Sequence, residues 1–339
     1  MKMPQNRKPT IKQVAEQAGV SIKTVSRVIN REPYVAHAVR LRVEAVMRDL
    51  AFQPSQAARA LAGRKTHQIA LICDNPSPYY VYEVQAGVRA RCHVQNVRMI
   101  AQPYSMHSDT LLEEIESLIV QINPDGLILT PPITDLTPVT DALRRRGIKF
   151  VCLSPETLRA DCPAAFIDNC AAAATMMTHL VRLGHKRIGF IAGHPGYATS
   201  HQRLAGYRQG LTDAGLSFDP ALVAEGEYSF KSGSAAAALL LSLAQPPTAI
   251  FASSDDMAAG ALATAHHLQL KVPEQISIAG FDDAALAEVV WPPLTTIRQP
   301  TRELAYAAAD LLFADADTPT HRALDFSLIV RGSTAAPLT

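Results

Sequence analysis

No apolar run in this chain is long enough to cross a bilayer. The basic start, MKMPQNRKPT, has no apolar stretch behind it of the kind that marks a secretory leader. These two absences predict a cytoplasmic protein with no membrane partner. The five cysteines (Cys73, Cys92, Cys152, Cys162 and Cys170) are odd in number and include no C-x-x-C pair. A disulfide framework or zinc site is therefore not expected. Reduced thiols are, with Cys73 and Cys152 in apolar runs that read as buried strands. Catalytic signatures are missing too: no G-x-G-x-x-G after a strand, no G-x-x-x-x-G-K-[ST], no H-E-x-x-H and no G-x-S-x-G. His266 and His267 are neighbours on a helix, a spacing that does not converge on one metal. No catalytic residue, metal or cofactor is assigned.

What is present is a globular composition. The chain has 339 residues, 48% of them apolar, which suits two or three domains. A formal charge of +1 conceals an asymmetry. Residues 1–65 hold 13 Lys/Arg against 4 Asp/Glu, and the remainder holds 19 against 27. A basic head on an acidic body points to a polyanion partner for the head alone.

Inside that head lies TIKQVAEQAGVSIKTVSRVIN, residues 10–30. Ile11, Val14, Ala15 and Ala18 recur at the spacing of one helix face. Gly19 can stop that helix in a left-handed conformation. Ser21 stands where an N-cap should, and Val25 and Val28 turn a second helix back onto the first. Ile22, Lys23, Thr24, Ser26 and Arg27 then face outward, with side chains suited to base edges and phosphates. This is the pattern of a helix-turn-helix, whose second helix enters the major groove. A solvated helical hairpin is the plainer alternative.

A third helix is expected over residues 36–50, closing a core with Val39, Val43, Val46, Met47 and Leu50. Its Arg40, Arg42 and Arg48 are outward candidates for phosphate contacts. A short helix should follow from Pro54–Ser55 to Gly63, about two turns and marginal in isolation. Its small alanines would let two copies approach in a minor groove, with Leu61 as an apolar wedge. An ordinary linker fits the same residues.

From Gln68 the texture changes. Apolar runs (IALIC 69–73, VRMIA 97–101, GLILT 126–130, FVCL 150–153) alternate with amphipathic stretches, and the pattern restarts at AAFID 164–168, IGFIAG 188–193, AIFAS 249–253 and ISIAGF 276–281. Strands alternating with helices mean doubly wound parallel sheets. The restart means two such α/β subdomains with a cleft between them. The tail (LTTIRQP 294–300, a helix at 301–313, LDFSLIVRG 324–332) can cross between them. Ligands in such folds bind beyond the carboxyl ends of the strands. The paired acids Asp255–Asp256 and Asp282–Asp283 lack a nucleophile or metal partner, so they read as acceptors for ligand hydroxyls.

The chain resembles the lactose/galactose repressor (LacI/GalR) family of bacterial transcription regulators over essentially its whole length. IKQVAEQAGVSIKTVSRVIN is similar to that family's head and FQPSQAARALAG to its hinge helix. LGHKRIGFIAG, QRLAGYRQGL, FASSDDMAAGAL, VPEQISIAGFDD and PPLTTIRQP recur in the family's order. The resemblance implies a helix-turn-helix three-helix head at 1–54, a hinge helix or linker at 55–66 and a periplasmic-binding-protein-like core at 67–339. Within the core it implies an N-subdomain of about 67–165 plus 299–323, and a C-subdomain of about 166–298 plus 324–339.

It also implies roles. Ile22 and Lys23 would read bases, with Thr10, Ser21, Thr24, Ser26, Arg27 and Asn30 supporting base or phosphate contacts. Ala57, Ala58 and Leu61 would meet the minor groove. Asp74, Tyr79, Tyr80, Tyr197, Thr199, Arg203, Tyr228, Asp255, Asp282 and Gln299 would surround an effector in the cleft. Ser154 and Ser254 stand where some members carry an acid and many an amide, which weakens transfer of any particular sugar. The expected protein is a dimeric repressor on a pseudo-palindromic operator, cytoplasmic and nucleoid-associated. A small molecule in the cleft, preferably a carbohydrate, changes its DNA affinity. A purine or other metabolite fits the same kind of cleft. Alternatives are an activator or co-repressor-dependent regulator of the same fold, or a sugar-binding protein or enzyme carrying a basic head.

Overall fold

The computed structural model describes residues 9–29, 32–52, 65–314 and 320–338. The chain divides into two compact units, Met1–His67 and Gln68–Thr339.

In the first unit, α1 (Ile11–Ala18), α2 (Ile22–Ile29) and α3 (His37–Asp49) enclose a small core of Val14, Ala15, Ala18, Val25, Val28 and Val43. The Thr10 hydroxyl accepts the Gln13 N–H and the Gln13 side chain returns to the Thr10 backbone, a reciprocal cap. Gly19 ends α1 at φ +62°, a left-handed conformation that is nearly free of strain only without a Cβ.

The second unit has two lobes. Lobe one is built from β1 (Gln68–Cys73), α4 (Pro78–Val94), β2 (Arg98–Pro103), α5 (Leu111–Ile122), β3 (Leu127–Leu129), α6 (Thr137–Arg145), β4 (Phe150–Leu153) and β5 (Ala164–Phe166). Lobe two repeats the scheme with α7 (Asn169–Arg182), β6 (Ile188–Ala192), α8 (Ala198–Asp213), β7 (Val223–Glu225), α9 (Phe230–Leu241), β8 (Ala249–Ala252), α10 (Asp255–His267), β9 (Ser277–Asp282), α11 (Ala285–Val289) and β10 (Thr295–Arg298). The chain then returns to lobe one as α12 (Thr301–Phe313) and β11 (His321–Ala323), and crosses again to end lobe two as β12 (Ser327–Ile329).

The strand orders are β11-β5-β4-β3-β1-β2 and β12-β10-β9-β8-β6-β7. The central strands β3, β4, β6 and β8 are buried throughout, as parallel strands covered on both faces must be. Every pairing is parallel except β10 with β12, where Thr296 faces Ile329. That antiparallel edge departs from the purely parallel expectation: the last strand arrives from the other lobe and is not led in by a helix of its own sheet. The sequence reading also passed over β7 and β11. Both are three-residue edge strands and partly exposed, so they lack the apolar run by which the others were recognised. In lobe one, α12 lies so close on α4 that a Cβ on Gly87 would stand 2.1 Å from the Arg302 carbonyl oxygen.

Candidate functional site

In the head, Ser21 caps α2 through its hydroxyl, which accepts the Thr24 N–H at 3.1 Å and meets the Thr24 hydroxyl at 2.9 Å. Val25 and Val28 are buried, so the opposite face of α2 points outward. Ile22 is 49% exposed, an uncommon state for isoleucine with no intramolecular partner to cover it. Lys23 is exposed beside it, while Thr24, Ser26 and Arg27 are half-buried along the same helix. Arg27 lies 3.6 Å from Glu32. Of the arginines expected to point outward from the third helix, Arg42 and Arg48 do so. Arg40 does not: its guanidinium donates to the Glu32 carbonyl at 2.7 Å and braces the turn before α3. Asn30, Ala57, Ala58 and Leu61 lie outside the described residues.

Between the two lobes is a narrow polar cavity of about 30 Å³. Nine of the twelve expected cleft residues line it: Tyr80, Ser154, Tyr197, Thr199, Arg203, Tyr228, Ser254, Asp282 and Gln299. The elements explain the convergence. Ser154 follows β4, Ser254 follows β8 and Asp282 ends β9, all at carboxyl ends of strands. Tyr197 and Thr199 open α8, and Gln299 lies on the strap between β10 and α12. Three of these residues hold left-handed backbone, Ser154 at φ +43°, Tyr228 at +55° and Asp282 at +115°. Such conformations persist where surrounding structure over-determines them, and they concentrate at ligand sites.

Arg203 is the fixed point of the cavity. It is 4% exposed, and its Nε donates to Asn169 Oδ1 at 3.0 Å and its Nη1 to the Ser253 carbonyl at 2.6 Å. Its guanidinium lies 3.6 Å from the centroid of the Phe281 ring, and Nη1 is 3.6 Å from Asp282 Oδ1. Held by these contacts, the fork is preorganised toward the cavity, which suits bidentate recognition. Asp282 accepts a hydrogen bond from Gln299 Nε2 at 2.6 Å. Burial pushes its carboxyl up to about 7, against the opposing pull of Arg203. Tyr197 and Tyr228 have ring centroids 5.2 Å apart, and the Tyr228 hydroxyl meets those of Ser200 at 2.7 Å and Thr199 at 3.3 Å. Burial raises the Tyr80 and Tyr197 hydroxyls well above their ordinary value, so both stay protonated donors. An arginine fork, a carboxyl group and rings of tyrosine together can bond hydroxyls directionally and cover an apolar ligand face.

Three expected cleft residues are placed elsewhere. Asp255 is fully buried behind the cavity. Its Oδ1 accepts from the Thr296 hydroxyl at 2.7 Å and its Oδ2 from the Ala284 N–H at 2.8 Å, tying α10 to β10 and to the entry of α11. The Asp74 carboxylate accepts the Met106 N–H at 2.6 Å and so organises the loop after β2. Tyr79 lines an adjoining groove with Tyr82 and Glu83, which shares Ser77, Tyr80, Asp282 and Gln299 with the cavity wall.

The lobes also meet across the cleft. Ser77 Oγ donates to Asp256 Oδ2 at 2.6 Å, the Tyr197 hydroxyl to the Asp74 carbonyl at 3.1 Å, and the His107 and His194 rings meet edge to face at 5.6 Å. Asn75, Ser77 and Pro131 in the cavity wall were not among the expected site residues, and Asp256, read with Asp255 as an acceptor for ligand hydroxyls, accepts from Ser77 instead. Ser77 had a legible signal, a capping residue directly before a proline at the first helical position. Among the described residues no cluster of three metal-ligating side chains occurs, and no helix is long and apolar enough to cross a membrane.

A helix-turn-helix unit followed by a two-lobed α/β unit with a polar interlobe cavity defines a DNA-binding transcription regulator. Residues 10–55 match the model of bacterial regulatory proteins of the lacI family, and residues 177–334 that of the periplasmic binding protein-like domain. The chain is 35% identical over 334 residues to the HTH-type transcriptional repressor CytR of Escherichia coli (strain K12), covering 96% of both proteins. The crystal structure of the lac repressor dimer bound to operator and the anti-inducer ONPF is similar at a TM-score of 0.85 and 27% identity, over 97% of this chain and 100% of that one. A complex of the transcriptional regulator CelR with cellobiose is similar at 0.73 and 29%, over 96% of this chain and 99% of that one. The chain belongs to the LacI family of bacterial transcription regulators. The relatives named here are transcription regulators rather than enzymes.

Proposed function

We propose that this protein is a homodimeric repressor whose operator affinity is changed by a carbohydrate bound between the lobes. The observation that carries the effector reading is the Arg203–Asp282 pair, buried at 3.6 Å with tyrosine rings around it in a cavity open to both lobes. A polyol offers hydroxyls to both charged groups and C–H faces to the rings. The named relatives support it: one was solved with cellobiose and one with ONPF on operator.

In this reading residues 1–54 are the DNA head, 55–66 the hinge and 67–339 the effector and dimerisation core, in the cytoplasm at the nucleoid. Ile22 and Lys23 read bases, supported by Thr10, Ser21, Thr24, Ser26, Arg27 and Asn30, while Ala57, Ala58 and Leu61 meet the minor groove. Two heads related by a two-fold axis address a pseudo-palindromic site. The effector must bind the open and closed lobe arrangements with different affinity, or it shifts nothing.

The test is DNA binding by the purified protein at two salt concentrations, with and without a panel of mono- and disaccharides and nucleobases. Release of specific DNA by one sugar is the expected result. Tighter binding with a compound replaces induction by co-repression. A response to a nucleobase alone refutes the carbohydrate reading, and absence of specific DNA binding in any condition refutes the repressor.

A further inference from the structure

Away from the cleft, on the outer side of lobe one, two cysteine side chains face each other. Cys152 in β4 and Cys162 just before β5 have sulfurs 3.3 Å apart. The backbone holds them there. The Cys152 N–H donates to the Pro163 carbonyl at 2.9 Å, and the Cys162 N–H closes a turn onto the Arg159 carbonyl at 3.0 Å. Both residues line a recess of about 310 Å³ that also presents Arg144, Arg159 and Glu156. Both thiols are nearly buried, Cys152 at 2% and Cys162 at 6% exposure, but they are paired rather than packed singly, and they lie in the floor of that recess.

We propose that Cys152 and Cys162 form an oxidisable thiol pair, which a small peroxide entering this recess converts to an intramolecular disulfide. Cys162 is the attacking group. The Cys152 hydrogen bond and the Arg144 guanidinium favour its thiolate, whereas Cys152 is held protonated by its neighbour and by burial. The Cys162 thiolate attacks one peroxide oxygen. The O–O bond breaks, hydroxide leaves, and with a proton it becomes water, leaving a sulfenic acid on Cys162. The Cys152 sulfur then attacks the Cys162 sulfur. The S–S bond forms, the S–O bond breaks, and the Cys152 proton leaves with that oxygen as a second water. Two thiols are oxidised and one peroxide is reduced to two waters. Closing the gap to a disulfide length of about 2 Å asks for little sulfur movement. The consequence reaches the cleft, because Ser154 lies two residues beyond Cys152 and its N–H is fixed to the Ala165 carbonyl at 2.9 Å. A disulfide would pin both ends of the loop that carries this cleft residue. The proposal does not depend on what the cleft binds.

The experiment treats the full-length protein with hydrogen peroxide, blocks remaining thiols with an alkylating agent and digests with trypsin. Cleavage at Lys149, Arg159 and Arg182 places Cys152 in peptide 150–159 and Cys162 in peptide 160–182. The expected result is a linked pair of these peptides, with Cys152 and Cys162 losing alkylation together at least tenfold faster than Cys73 or Cys92. A thiol reductant restores both. Because Cys170 shares the second peptide, Cys170→Ser must still give the link and Cys162→Ser must not. If Cys162→Ser fails to fold, the Cys170→Ser result alone decides. Full alkylation of Cys152 after peroxide, a link to Cys170, or oxidation that stops at Cys162 with Cys152 free would each overturn the proposal.

Discussion

Replacing Arg203 by methionine tests whether this side chain governs the charge state of the cleft. Methionine keeps much of the volume and loses the cation. The Asn169 side-chain oxygen, the Ser253 carbonyl and the Asp282 carboxyl then lose a donor or a counter-charge in a buried region. Stranding one partner of a buried ion pair costs about 3–5 kcal/mol. Part of that loss depends on pH. With Arg203 present the Asp282 carboxyl titrates at about 7, above the ordinary 3.8, so its ionisation already lowers stability as pH rises from about 4 to about 7. Without the cation its pKa rises further. One such step is worth ~1.4 kcal/mol, so the Arg203→Met penalty should be on the order of 1 kcal/mol larger at pH 8 than at pH 6. Adding Asp282→Asn should remove that pH-dependent part. Urea unfolding of the single variant, the double variant and the parent at both pH values reads each quantity. An equal penalty at the two pH values would refute the argument, since Asp282 would then not depend on Arg203.

Three further outcomes are expected. Gly87→Ala forces its new Cβ against the Arg302 carbonyl and should lower stability by about 1–3 kcal/mol in a urea melt, whereas an unchanged midpoint would mean that α4 and α12 separate freely. Lys23→Ala should weaken operator binding and relax specificity at one base position by about 1–3 kcal/mol; a uniform loss across sequences, with the salt slope reduced by about one, would make Lys23 a phosphate contact instead. Tyr197→Phe removes only the hydroxyl that bridges to the Asp74 carbonyl, so closure should weaken by about 1 kcal/mol and hydrogen exchange around residues 104–108 and 194–198 should rise several-fold; unaltered exchange would show that this contact does not hold the lobes.

The elements that were legible in advance share one property: their residues carry their own signal. FVCL at 150–153 and the helix at 301–313 have in the structure the bounds that the sequence predicts, because an unbroken apolar run and an amphipathic run that starts just after a proline need no tertiary context. The edge strands β7 and β11 have no such run and exist only because a neighbouring strand is there to pair with. The cleft divides in the same way. Ser154, Ser254 and Asp282 line the cavity because topology alone sends residues at the carboxyl ends of strands there. Asp255 was misplaced because a carboxyl after a strand looks the same whether it faces a ligand or a buried threonine hydroxyl. Asp74 and Tyr79 differ from cleft-lining neighbours by a few positions of chain direction, which the local sequence does not encode. Nothing local marks Ser77 as the partner of Asp256, because their hydrogen bond joins residues far apart in the chain.

The core chain passes between its lobes three times, after β5, between β10 and α12, and between β11 and β12. Three crossings tie the lobes together more closely than a single linker would. Neither lobe is a contiguous peptide, so no single cut releases one as an autonomous module. Whatever fills the cavity therefore acts on two lobes that stay joined at three points of one chain.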